Sequence, residues 1–206
     1  MKIVAKVISV MSHPLITIPL IILTVIQLNV IRVSFKSMGI LLFLSIIPTI
    51  LWIFIKTKNG SYTNFSVSNQ KQRTSLYVFV IVSLLATIFV MRLTEQVDYL
   101  YSGVFYGLLM LVISFLINYF IKSSLHVSLN SYIAISLYLI SPVVSIAYLI
   151  FTCIVAWSRL TLKKHSLKEV LMGLSLGILF GIMFLKQVGF EIKDKQLIQL
   201  VEFHRL

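Results

Sequence analysis

Long apolar runs separated by short polar links set the pattern of this chain. A bilayer-crossing helix needs about 20 mostly apolar residues, because about 30 Å of hydrocarbon is covered at 1.5 Å per residue. Such runs lie near Leu15–Val33, Ile40–Ile55, Leu76–Met91, Leu100–Ile121 and Val170–Leu185. A further apolar stretch, Ser124 to Ser158, is too long for one comfortable helix and carries Ser141-Pro142 near its middle. Proline disfavours helix in the residue before it and suits the first turn after it. The stretch therefore predicts a tight hairpin, Leu125–Ile140 then Val143–Ser158, in preference to one helix kinked at Pro142. The expected fold class is all-α: a polytopic integral membrane helical bundle with six or seven transmembrane segments. Residues 1–206 form one membrane-embedded domain, and 186–206, alternating charged and apolar residues, read as a short interfacial tail. The start has no signal-peptide pattern, since Lys2 and Lys6 lead to Pro14, Pro19 and a long span without a small-residue cleavage site.

Composition agrees. The chain is 59% hydrophobic, with 18 basic and 6 acidic residues among 206, whereas a soluble domain is about 45–50% apolar and about 25% charged. That much apolar surface does not fit inside a small globule. The lone Cys153 excludes an internal disulfide or a zinc cluster. A net charge of +12 can signal nucleic acid, but here the basic residues sit between apolar runs, which points to membrane lipids as the partner and not to nucleic acid.

The position of the polar links sharpens this. With seven segments, the links 56–75, 122–124 and 159–168 all fall on one membrane face. The opposite links hold only Arg32 and Lys36, Glu95 and Asp98, and Ser141-Pro142. Nearly all candidate chemistry is thus gathered on one side, as a single interfacial site requires.

The strongest local pattern is SRLTLKKHSLKE, residues 158–169. If a helix starts near His165, then His165 and Glu169 share a face. The carboxylate can hold one ring nitrogen and leave the other free to attack. Arg159 offers a planar fork of donors for phosphate oxygens. In KSSLHVSLN, residues 122–130, His126 opens a very apolar helix behind Lys122, Ser123 and Ser124. An ionisable group at such a depth suggests function, and a helix start is a natural anion site. The third cluster, NQKQRTS at 69–75, places Lys71 and Arg73 before a helix. Taken singly, each cluster also reads as a basic or capped helix end facing headgroups. Together they suit a phosphate ester: fixed donors hold its oxygens, one histidine attacks phosphorus, and the other moves protons. Glu169 is the only acidic residue near these clusters, so neither a metal nor a cofactor is expected.

These residues carry a family resemblance over about residues 13–188. The chain resembles the type 2 phosphatidic acid phosphatase superfamily, the membrane branch of the vanadium-haloperoxidase-like acid phosphatases. Its third motif, S-R-x5-H-x3-D, matches residues 158–169 with Glu169 in place of Asp. Its second, P-S-G-H, matches Ser124 and His126 but not Ser123 or Leu125. Its first, K-x6-R-P, matches Arg73 only, with Ser66 at the lysine position and Thr74 at the proline. The HPLITIP segment at 13–19 is similar to the start of a small bacterial subgroup with degenerate first and second motifs. The resemblance implies a phosphatase-like helical core, His165 as phosphohistidine nucleophile oriented by Glu169, and His126 as general acid. It implies phosphate binding by Arg73, Arg159 and Ser124, with Lys71 and Lys122 as electrostatic substitutes for the missing lysine.

The expected function is hydrolysis of a lipid phosphate or isoprenoid diphosphate, an amphiphilic substrate, in the cytoplasmic membrane of a bacterium. A non-catalytic protein that binds or moves a polyprenyl-phosphate carrier, and an unrelated transporter or assembly factor, are the alternatives. Basic residues favour the active-site face, which by the positive-inside rule turns it toward the cytoplasm. Phosphate ligation uses some of the same residues, so the orientation stays open.

Overall fold

The structure, a computed structural model, describes residues 1–28, 33–67, 69–96 and 99–203, with side chains to residue 189. Within these residues every regular element is a helix. The helices are α1 (Lys2–Met11), α2 (Pro14–Leu28), α3 (Phe35–Leu41), α4 (Ile47–Lys58), α5 (Gln70–Leu93), α6 (Tyr99–Ile117), α7 (Leu125–Ser136), α8 (Pro142–Thr161) and α9 (Leu167–Phe203). A π-helical turn, Leu42–Ile46, joins α3 to α4 into one rod.

Five of these segments are long and apolar enough to cross a membrane: Phe35–Lys58, Gln70–Leu93, Tyr99–Ile117, Pro142–Thr161 and Leu167–Gly189. The pair α1 and α2, bent by 55°, makes a sixth if it counts as one span. The bundle is inside-out relative to a soluble one. Phe43, Phe54, Val82, Phe89, Leu116, Val143 and Ile150 are exposed, while Ser45, Thr87, Ser114, Asn130, Ser131 and Ser158 are buried. Lipid is as apolar as leucine, so helices in a bilayer associate through small and polar residues and leave the large apolar ones outside.

The expected segmentation holds with one correction, at the fifth segment. The first run is helical from Pro14 to Leu28, and residues 29–32 of the expected span lie outside the described residues. The fifth expected segment is not a full span: α7 and the 3-10 turn Leu137–Leu139 together cover Leu125–Leu139, about 22 Å against about 30 Å of hydrocarbon. It falls short because it is enclosed by protein, with Val127, Ser128, Asn130, Ser131 and Ala134 all fully buried. The expected tail, 186–206, is helical as a continuation of α9 as far as Phe203.

The hairpin is present. Ser141 is extended, Pro142 opens α8, and α7 and α8 run antiparallel, with Ser145 Oγ donating to the Ala134 carbonyl (2.8 Å) and Tyr148 Oη to Asn130 Oδ1 (2.9 Å). α7 sits at the centre, against α9, α8, α6 and α2. Its closest neighbour is α9. An added Cβ on Gly173 would stand 2.7 Å from the Ser124 carbonyl oxygen, and one on Gly177 would stand 2.2 Å from that of Ser128. On Gly181 it would stand 2.6 Å from Ile135 Cβ. Glycine at every fourth position thus makes a flat stripe on α9 into which α7 presses. One core cluster, Met110, Tyr132, Leu176, Phe180, Phe184 and Val188, seals α6, α7 and α9 together.

Candidate active site

Four corners of the bundle meet at one end: the α1–α2 bend, the 59–69 loop, the α6–α7 link and the α8–α9 link. Hydrogen bonds tie them. Arg73 Nη1 donates to the Ser123 carbonyl (2.9 Å), and the Ser124 N–H donates to the Glu169 carbonyl (3.1 Å). Lys122 Nζ donates to the Lys164 carbonyl (3.2 Å), and Asn130 Nδ2 to the Ser12 carbonyl (3.1 Å). A cavity of about 290 Å³ opens there, with His13, Arg73, Tyr77, His126, Arg159 and His165 around its polar mouth.

The α8–α9 link is built to present His165. α8 stops in a left-handed turn at Lys163 (φ 52), where the Lys163 N–H bonds the Leu160 carbonyl (2.9 Å) and the Lys164 N–H bonds that of Arg159 (3.0 Å). These are the paired bonds of a Schellman stop, completed here without glycine. His165 follows at once, and its Nδ1 lies 2.7 Å from Glu169 Oε2 across one helical turn. A carboxylate only accepts, so Nδ1 carries the ring proton in this contact. Glu169 Oε2 also accepts the Ser166 N–H (3.2 Å) and pairs with Lys122 Nζ (3.6 Å). Burial, then the positive charges of Arg159, Arg73 and Lys122, push the His165 pKa from 6.5 down to about 2, against a backbone hydrogen bond with Lys122 that raises it. Burial and the surrounding positive charges thus favour the neutral imidazole.

Two guanidiniums flank it. Arg73, 4% exposed, is held by the Ser123 carbonyl and by Tyr77 Oη (3.2 Å), one turn on along α5. Arg159, 1% exposed, donates from Nη1 to Ser9 Oγ of α1 (2.6 Å), while its Nε has no protein partner. Neither arginine has a carboxylate within salt-bridge distance among the described residues. His126 begins the buried helix α7 and lines the same cavity, with Nε2 buried and unpaired. A buried polar atom without a partner is costly, and these lie where a ligand would meet them.

The structure thus brings His165, Glu169, His126, Arg73 and Arg159 to one place. Ser124 caps α7 just behind the cavity wall, its Oγ buried and unpaired. Lys122 is turned to Glu169 and is not among the cavity-lining residues. Lys71 is exposed, contributes its backbone N–H to the Asn69 cap and stands away from the cavity. Ser66, at the motif position that a lysine would hold, does line it.

Sequence reasoning passed over Tyr77, Asn130, Ser9 and, as a chemical group, His13. His13 lies edge-on to His126 with ring centroids 5.0 Å apart. Asn130, fully buried, donates to the Ser12 and His126 carbonyls and accepts from Tyr148, which locks the α1–α2 bend to α7 and α8. The available signal was a histidine directly before the proline that opens an apolar run, an ionisable residue at the edge of the bilayer.

Away from its mouth the cavity is apolar. It passes Ile18, Ile22, Leu84, Val104 and Leu111 and reaches Val33, Tyr99, Leu100 and Ile140 at the opposite ends of the helices.

Compared with family models, with curated proteins and with solved structures, the chain has no match. Among the described residues, fold and composition define an all-helical protein with five or six helices long and apolar enough to span a membrane.

Proposed function

We propose that this chain is an integral membrane phosphatase, similar to the type 2 phosphatidic acid phosphatases, that hydrolyses a lipid phosphate or isoprenoid diphosphate through a phosphohistidine. The observation that carries the reading is the pair of buried guanidiniums, Arg73 and Arg159, without carboxylate partners, beside a carboxylate-oriented neutral histidine. Buried charge without a counter-ion is strongly unfavourable, and an anionic phosphoryl group supplies the missing charge. The apolar body of the cavity suits a hydrocarbon tail attached to that phosphate.

In this mechanism Arg73 and Arg159 hold the non-bridging oxygens. His165 Nε2 attacks phosphorus, and the P–O bond to the leaving group breaks as His126 gives that oxygen a proton. His126 then takes a proton from water, whose oxygen attacks phosphorus. The P–N bond breaks, phosphate leaves, and His165 is restored. Glu169 keeps the His165 ring oriented throughout.

The test is inorganic phosphate release by purified protein in detergent, without added divalent metal, from a diacylglycerol phosphate and a C15 isoprenoid diphosphate. Wild type should turn over and His165→Ala should not. Equal release by both would sink the mechanism, and saturable lipid-phosphate binding without turnover would favour the carrier-binding reading.

A further inference from the structure

The phosphatase mechanism leaves His13 without a task, yet its placement is closely determined. The ring is held between Phe65 (centroids 5.6 Å apart) and His126 (5.0 Å, planes at 87°). The backbone on either side is also fixed. The Ser12 carbonyl accepts from Asn130, and the His13 carbonyl accepts from Ile16 N (2.8 Å) and Thr17 N (3.0 Å) in the first turn of α2. The α1 helix leading into it is anchored by Ser9 to Arg159 and by the Ala5 carbonyl to Ser158 Oγ (2.7 Å).

One ring atom is already committed. His13 Nδ1 accepts the backbone N–H of Leu15 (3.3 Å), capping α2. An acceptor nitrogen carries no proton, so the proton of this imidazole is on Nε2, which is a donor. Among the described residues nothing in the protein hydrogen-bonds that donor, and the ring lines the cavity mouth beside His126, Arg159 and His165. A cap alone needs only a short acceptor, which asparagine, serine or aspartate supply at less cost. It does not need a ring that reaches a site with two buried guanidiniums.

We infer that His13 is a third histidine of the active site, a direct ligand of the transferred phosphoryl group that donates from Nε2 to one of its oxygens. This rests on the phosphatase reading above. It assigns chemistry to the N-terminal segment: the α1–α2 bend is a wall of the site that delivers a neutral donor on the side of the phosphate facing His126. Such a fixed neutral donor stabilises charge that develops on oxygen without adding to the positive charge already buried there.

Two substitutions separate the ring's two atoms. His13→Asn keeps an acceptor for the Leu15 N–H but is too short to replace Nε2. His13→Gln carries an N–H donor at the Nε2 distance but gives up the cap. The expected result is a kcat loss of about 100-fold in His13→Asn, the usual effect of deleting one oxyanion donor, with His13→Gln within about tenfold of wild type. Orthovanadate, which mimics the trigonal phosphoryl group, should bind His13→Asn weaker by a similar factor, read as lost protection against thermal unfolding in detergent. The inference is overturned if His13→Asn matches wild type in turnover and vanadate protection, or if it loses turnover while binding vanadate as wild type does. It is overturned also if His13→Gln is the worse of the two, the pattern of a cap alone. Vanadate protection needs no turnover, so it still tests His13 if wild type releases no phosphate. That outcome would count against the phosphatase reading only.

Discussion

At the scale of single residues, His165 is defined by its neighbours more than by its own chemistry. Glu169 holds one nitrogen at 2.7 Å, and burial together with Arg159, Arg73 and Lys122 lowers its pKa from 6.5 to about 2. This has a sign for stability. Below pH 6.5 the unfolded chain binds a proton at this position, while the folded chain does not until about pH 2. The stabilising contribution is therefore complete above pH 6.5 and is lost as pH falls through that window. The midpoint of thermal unfolding in detergent should drop between pH 7 and pH 4, and it should drop less steeply in His165→Asn. Parallel slopes in the two proteins would mean that the ring is not held neutral by its surroundings.

Among the elements, the contact between α7 and α9 decides whether the site exists. Glu169 opens α9, and Ser124 and His126 open α7. The Ser124 N–H reaches the Glu169 carbonyl because Gly173 has no side chain in the way. Farther along, Gly177 meets the backbone of Ser128. Gly177→Ala should force the helices apart, costing about 1–3 kcal/mol as overpacking does, and should lower turnover by moving His165 relative to His126. Gly39→Ala, whose Cβ meets nothing within 4 Å, should leave both unchanged or gain slightly from helix propensity. A detergent melting series on the three proteins checks this; an unaffected Gly177→Ala would refute the close packing. The same helix pair shows why the sequence misjudged α7. Its apolar run has the length of a poor span, and only its enclosure by α6, α8 and α9 shows that it need not face lipid.

Across the whole molecule, the cavity joins a polar mouth to an apolar body that extends toward the far ends of the helices. A substrate with one charged end and a long tail fits that division. Gly107 lines the cavity, and a Cβ there would meet nothing within 4 Å, so Gly107→Leu starts its side chain in open space. It should raise KM for long-chain phosphates by about tenfold, the effect of one or two lost methylene contacts, and leave short-chain substrates unaffected. Equal effects on both chain lengths would place the tail elsewhere.

What the chain fixed without its fold is local. Apolar run length marked the helices, the Ser141-Pro142 break marked the hairpin, and the spacing of four marked the pairing of Glu169 with His165. Alternation of the polar links put the candidate residues on one face. Each of these depends on neighbours within a turn or a span, where helical period and hydropathy act directly. Tertiary structure alone decided which basic residues point inward. Arg73 and Arg159 are buried at the cavity, Lys71 is exposed two residues from Arg73, and Lys122 turns to Glu169. It also set His13 against His126, 113 positions away, by way of Asn130 and the α1–α2 bend. Such choices follow from packing between distant segments, where a missing Cβ or one amide hydrogen bond sets the approach of whole helices. Sequence periodicity carries no record of those contacts.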